Sequence, residues 1–267
     1  MKLIKQSFEI LEQKDFTLVG IKKLIERCGR VSHKSEDRIT EDSAETFVER
    51  MKEMKHLSTC EFGTVYLYID YHNPSFGKII DKYSSNEYSK CAVFPNEVCI
   101  SSNYRVLVEN NWLDDLKYLC KPTEYHHKRY TVKFILDRAI LAEFTRHRKF
   151  SFMAESSRYN NYSKNKFNGE LTFIMPCWAV GIYYPNWLLT LHNIEDTYMD
   201  FIKSGWKAEQ ARNILPLCLK TELYMCGFAE DWKKFFELRC APNAHPQAKE
   251  LAIPLKEEFI KRGYINE

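Results

Sequence analysis

The segment from Tyr130 to Tyr159 constrains the fold most, because the spacing of its apolar residues changes partway along. Tyr130, Val132 and Phe134 alternate with Thr131, Lys133 and Ile135, the two-residue period of a strand. Asp137 then stands where a carboxylate can accept from the free N–H groups of a first helical turn. Ala139-Ile140-Leu141-Ala142 with Phe144 supplies one apolar helix face. Arg146-His147-Arg148-Lys149-Phe150-Ser151-Phe152-Met153-Ala154-Glu155-Ser156-Ser157-Arg158-Tyr159 follows, read as a loop leaving that buried helix. The planar fork of Arg matches phosphate, and Ser hydroxyls add donors and acceptors. Residue types alone leave a nucleotide-phosphate site and a basic surface turn equally open.

Composition narrows the classes. The 267 residues suit one domain spanning 1–267. Lys plus Arg is 39 and Asp plus Glu 36, a net charge of +3 that argues against a general nucleic-acid binder. Any anion site must therefore be a local cluster. No apolar run reaches the length of a membrane span, and the polar start Met1-Lys2-Leu3-Ile4-Lys5-Gln6 does not read as a signal peptide. The 9 Cys contain no C-x-x-C pair, so reduced thiols and a cytoplasmic location are expected, with no metal site. The 16 Tyr, 17 Phe and 5 Trp serve a core and can stack on flat ligands.

Further elements follow from period and punctuation. Ser7 to Leu11 is a short strand, and Thr17 to Cys28 a helix with Leu18, Ile21, Leu24, Ile25 and Cys28 on one face. Cys28 to Asp37 is a polar loop whose Arg30 and Lys34 are either solvated or reach a phosphate. Asp42 or Ser43 caps a helix carrying Phe47, Met51 and Met54, and Thr64 to Tyr68 is a strand. Asn73 to Asn96 is an irregular excursion. Cys99 to Arg105 is strand then loop, Val106 to Tyr118 a helix, and His126-His127-Lys128-Arg129 a solvated basic turn. Trp187, Leu191, Tyr198 and Ile202 mark a helix stopped at Ser204-Gly205. Asp231 to Leu238 is another, and the last starts at Pro246, kinks at Pro254 and ends at Gly263.

The wording of the cationic stretch adds a family. Arg146-His147-Arg148, two residues, Ser151, four residues, Ser156, one residue and Arg158 resemble the signature of flavin-dependent thymidylate synthases. His56-Leu57-Ser58 with Glu61, then Thr64 on a strand, is similar to a second family segment. Ala211-Arg212-Asn213-Ile214-Leu215-Pro216 and Leu238-Arg239 resemble two more. The likeness runs from about Cys28 to about Leu255.

The resemblance implies an α+β fold, a mixed sheet with flanking helices and no Rossmann motif. It implies methylation of deoxyuridylate (dUMP) to dTMP, with FAD, NADPH and methylenetetrahydrofolate, in a homotetramer without nucleic-acid or membrane partners. By position, Thr64, Arg146, His147 and Arg148 contact FAD. Glu143, Phe144, Arg146, Ala154, Glu155, Ser156, Ser157, Arg158, Arg212 and Arg239 bind dUMP, with Arg239 the catalytic residue at the uracil ring. The sequence departs from the family pattern at Phe62, usually His, and at Ala154, often Glu or Gln. Lys220 replaces a common Tyr, and Phe228-Ala229-Glu230 a common Asn-x-Arg. A pyrimidine-nucleotide hydroxymethylase of the same family and a binding protein without turnover are the alternatives.

Overall fold

The computed structural model describes residues 1–178 and 184–266. In chain order, β1 (Lys2–Ile4) and β2 (Ser7–Leu11) lead to α1 (Leu18–Gly29) and α2 (Ser43–Glu53). Then come β3 (Thr64–Asp70), α3 (Phe76–Ser84), β4 (Lys90–Val93), β5 (Glu97–Asn103) and α4 (Tyr104–Glu109). The segment that dominates the sequence forms β6 (Arg129–Asp137), α5 (Arg138–Phe144) and β7 (Ser151–Ala154). β8 (Thr172–Ile174), α6 (Tyr184–Lys203), α7 (Ala208–Ala211), β9 (Lys220–Phe228), α8 (Ala229–Arg239) and α9 (Pro246–Lys261) complete it. The α+β expectation holds. Among the described residues, no helix is long and apolar enough to cross a membrane.

The strands form three sheets. The largest has the order β2-β6-β9-β7 and is antiparallel throughout. β3-β5-β4 form a second antiparallel sheet, and β1 pairs with β8 in parallel. β9 is central to the first and buried along almost its whole length. Leu223 and Met225 point into a core with Phe134, Phe144, Trp232, Phe235 and Phe259. Tyr224 and Cys226 face the other way, onto Leu11, Leu24, Cys28, Val31 and Phe62. A strand covered on both faces gains apolar burial twice over, which fixes β7 and its neighbours rigidly against it. Asp137 caps α5 as expected, its Oδ1 accepting from the Ile140 amide at 2.8 Å, whereas Asp42, at the start of α2, makes no side-chain capping bond.

Several expectations need correction. Residues 73–96 contain α3 and β4, because Phe76, Ile79, Ile80 and Tyr83 keep a helical spacing among the turn-forming residues and pack on the second sheet. The helix expected over 106–118 breaks at Asn111, whose φ of +59° ends α4 before a 3₁₀ turn at Leu113–Tyr118. The polar loop after Cys28 is two 3₁₀ turns, Arg30–His33 and Glu36–Arg38. The basic turn is not solvated: His126 is buried, donating to the Leu67 carbonyl at 3.1 Å and accepting from the Thr123 amide at 3.1 Å. Pro254 sits inside α9, which continues past it to Lys261. The cationic stretch is a loop only in part, since Ser151–Ala154 pairs with β9. β9 itself went unread, its Lys, Glu and Gly masking a strand.

Candidate active site

His147 of the signature, with Glu143 just before it, meets the end of α8. Arg239 donates through Nη1 to Glu143 Oε2 at 2.5 Å, through Nη2 to the Glu143 carbonyl at 2.6 Å, and through Nε to His147 Nε2 at 2.9 Å. That carbonyl lies in the last turn of α5 and also accepts from the Arg146 amide at 3.4 Å, so the guanidinium adds a second bond where the helix ends. Phe144 lies under it, with Cζ 5.9 Å from the ring centroid. A guanidinium has five N–H donors, and these bonds engage three, leaving two for a ligand. Because His147 Nε2 accepts, its proton sits on Nδ1. Burial, aided by the Arg239 charge, pushes the His147 pKa down to about 4, so the ring is neutral near pH 7.

From there the chain turns along a cavity of about 410 Å³, within the usual range for small-molecule sites. Arg148, Lys149, Phe150 and Ser151 line one side. Gly227 and Phe228, at the end of β9, line another. Phe228 carries two cations on its ring, Lys90 at 4.7 Å and Arg129 at 5.6 Å. Arg105 pairs with Glu61 at 2.6 Å and with Glu109 at 2.8 Å, whereas Arg148 makes no ion pair among the described residues. A cation without a carboxylate beside aromatic faces suits a flat ligand with anionic groups, so these residues fit FAD.

The remaining expected residues lie apart. Thr64 is buried, its hydroxyl accepting from Arg129 at 3.2 Å, so Arg129 stands between it and the cavity. Phe62 is wholly buried in the core rather than facing a ligand. Arg146 is exposed, and Ala154 is half-buried opposite Leu223. Ser156, Ser157 and Arg158 form a turn in which the Arg158 amide donates to Ser156 Oγ at 3.3 Å. Arg158 is exposed and reaches Glu209 at 3.2 Å, which brings it to the turn carrying the exposed Arg212.

Glu155 is the surprise of the stretch. It is buried, accepting from Lys220 at 2.9 Å and from the Tyr162 hydroxyl at 3.2 Å. Lys220 also bonds Glu222 at 2.6 Å, and Glu222 in turn pairs with Lys34 and Lys133, each at 2.9 Å. Lys34 is thus a partner in a buried charge network, and Arg30 is tied to Glu26 at 2.5 Å. Sequence reasoning missed Lys220 and Glu222 as a pair. Their i, i+2 spacing on one face of β9 was the available signal, hidden because the strand was not recognised.

The α+β chain thus carries a cavity in which the cations Lys90, Arg105, Arg129, Arg148 and Lys149 and the carboxylates of Glu61, Glu87, Glu109 and Asp231 surround the rings of Phe150 and Phe228. A family model described as thymidylate synthase complementing protein (Thy1) matches residues 84–262, and the chain belongs to that family. A flavin-dependent thymidylate synthase of Synechocystis sp. is 29% identical over 145 residues, 49% of this chain and 66% of that one. One from Pyrococcus furiosus is 30% identical over 125 residues, 46% of this chain and 50% of that one. A probable flavin-dependent thymidylate synthase of Paramecium bursaria Chlorella virus 1 is 31% identical over 147 residues, 49% of this chain and 66% of that one. The matches thus span about half to two thirds of those relatives. Among solved structures, a UMP/dUMP methylase PolB from Streptomyces cacaoi bound with 5-Br UMP is similar with a TM-score of 0.49 and 14% identity, over 98% of this chain and 92% of that one.

Proposed function

We propose that the chain is a single-domain flavin-dependent thymidylate synthase, methylating dUMP to dTMP with methylenetetrahydrofolate as carbon donor and NADPH as reductant through FAD. The observation that carries this reading is the convergence of Glu143, His147 and Arg239 at the head of the Arg146–Arg158 stretch, in a chain of this family. FAD supplies the reducing equivalents when bound. Arg148 and Lys149 hold its anionic groups, with Arg146 nearby and Phe228 and Phe150 flanking the ligand. His147 keeps Arg239 aimed by accepting from Nε. Arg239 turns its free N–H groups to the N3–C4–O4 side of the uracil, where a fixed cation stabilises negative charge as C5 becomes nucleophilic. Glu143, Phe144, Ala154 and Glu155 shape the nucleotide side, while Ser156, Ser157, Arg158 and Arg212 hold its phosphate. A cytoplasmic homotetramer goes with this reading.

The purified protein is expected to be yellow, or to take up added FAD, and to release tritium from 5-tritiated dUMP when folate and NADPH are supplied. A colourless protein that takes up no FAD by calorimetry refutes the reading. The engagement of Glu155 by Lys220 and the burial of Phe62 favour one second reading, a nucleotide and flavin binder without turnover. FAD uptake with no tritium release selects it. The mass of the product separates methyl from hydroxymethyl transfer.

Arg158→Ala is expected to weaken dUMP binding by about 1.5–3 kcal/mol, the worth of a charge-assisted bond, while FAD stays bound. The loss should shrink for deoxyuridine, which has no phosphate. Equal losses for both ligands, measured by calorimetry, would assign Arg158 another role.

A further inference from the structure

The turn that follows Glu155 is fastened at both ends, and one fastening is a side chain out of reach of any substrate. At its start, the Glu155 amide donates to the Glu222 carbonyl at 2.9 Å and so extends the β7–β9 ladder by one bond. Tyr159 and Asn160 then both donate their amides to the Ser156 carbonyl, at 3.3 and 3.1 Å, which coils residues 156–160 into a single turn. At its end stands Asn160, with no exposed surface. A side chain so placed acts on a ligand only through its neighbours.

Those neighbours are specific. Asn160 Nδ2 donates to the Ser32 carbonyl at 3.1 Å, and its Oδ1 accepts from Lys166 Nζ at 3.2 Å. The ammonium thereby sets which way round the amide lies. The Ser32 carbonyl also accepts from the Ser156 amide at 3.1 Å, so its two lone pairs hold the first and last residues of the turn. The Tyr159 ring lies on His33 with centroids 4.4 Å apart and planes at 20°, a further tie between the same two segments. The receiving side is rigid. Val31, next to Ser32, is wholly buried in the core that holds Tyr224 and Cys226 of β9. Lys34, two residues on, pairs with Glu222 at 2.9 Å. Ser32 is thus a fixed point relative to β9, and through Asn160 so is the turn. The groups it leaves free face outward: the Ser157 amide makes no hydrogen bond among the described residues, and Arg158 is exposed.

We infer that Asn160 is a positioning residue for the phosphate of the substrate. By tying the turn to Ser32, it holds the Ser157 amide, the Ser hydroxyls and Arg158 in one arrangement before the anion arrives. The inference rests on the reading of Ser156, Ser157 and Arg158 as the phosphate holders. Donors that must first be ordered lose affinity to the cost of ordering, and donors already held do not. Without the Nδ2 bond, the turn keeps its fastening at Glu155 and loosens at its far end.

Asn160→Asp tests it. The carboxylate keeps the shape of the amide and the bond from Lys166, but puts an oxygen where the Ser32 carbonyl needs a donor. In calorimetry on the full chain, dUMP should bind about tenfold more weakly than to the parent, while deoxyuridine, which lacks the phosphate, stays within ~twofold. Hydrogen exchange of the Tyr159 amide should quicken at least about tenfold, with the β7 amides unchanged. A general loss of stability would instead weaken both ligands and quicken both segments. Asn160→Ser, which removes the donor without opposing two oxygens, should give the same readings and serves if the first variant does not fold. Unchanged dUMP affinity in a folded variant overturns the inference, as does an equal loss for deoxyuridine. A parent that binds dUMP no better than deoxyuridine overturns the phosphate reading itself, and this inference with it.

Discussion

Replacing Lys220 with Met should destabilise the protein by about 3–5 kcal/mol, the cost of stripping one partner from a buried ion pair. Met keeps most of the volume, so the loss reports charge rather than a cavity. Glu155 has no exposed side-chain surface and would keep only the Tyr162 hydroxyl. Glu222 would retain Lys34 and Lys133. At roughly 2–4 °C per kcal/mol for a chain of this size, thermal melting should drop by on the order of 10 °C. Adding Glu155→Gln to Lys220→Met should recover part of the drop, since the orphaned charge is then gone. A melting temperature within ~2 °C of the parent would show that the network is not what holds β7 to β9.

The same network sets an acid limb. Burial pushes the Glu222 carboxyl up, but Lys220 and Lys34 outweigh it and hold the group well below the usual carboxylate range. A carboxyl held low in the fold stabilises it fully above its unfolded value, 4.5, and loses that contribution as pH falls below it. Lys220→Met should therefore show a shallower fall of stability below that pH than the parent.

Arg239→Ala should lower turnover by at least tenfold, about 1.4 kcal/mol of barrier, by removing the cation assigned to the uracil ring. Arg239→Lys should fall between the two, because an ammonium restores charge without the fork. A separate readout keeps the role distinct from folding. Burial and the Arg239 charge together hold His147 near a pKa of about 4. Without the guanidinium, the imidazole should titrate closer to its ordinary value by NMR. Cys240, the adjacent thiol, is the rival nucleophile. Burial pushes its pKa up, which works against a thiolate at neutral pH. Cys240→Ala should accordingly keep most turnover. A dead Cys240→Ala variant beside a normal Arg239→Ala one would reverse these roles.

What the sequence disclosed depended on whether a residue's neighbours in the chain were also its neighbours in space. The Tyr130–Phe144 strand and helix were legible because alternation, cap and apolar face are all local. The meeting of Arg239 with Glu143 and His147 spans 96 and 92 positions, and only the family wording brought them together. α3 was lost among Gly, Ser and Asn because its apolar residues gain their meaning from the sheet beneath. β9 was lost for the opposite reason. Lys220 and Glu222 look like surface residues until Glu155, Lys34 and Lys133 are seen around them. Arg105 from α4 and Lys90, Arg129 and Phe228 from three different strands line the cavity, a convergence no spacing rule could have found.

The pairing of β7 with β9 makes the spacing inside the signature a length. Ser151 stands opposite Cys226 and Ala154 opposite Leu223, so four rungs of ladder separate the cavity side of Arg148 from the Ser156 turn. At about 3.4 Å per residue, that ladder is a ruler of roughly 10 Å between its first and last rungs. Side chains alternate along it, so inserting or deleting a single residue would do more than alter the distance: it would turn every following side chain to the opposite face. Length variation is thus forbidden here in steps of one, even where the substituted residues themselves touch no ligand. A chain under this constraint can change the chemistry of Phe152, Met153 or Ala154, but it cannot change how many of them there are.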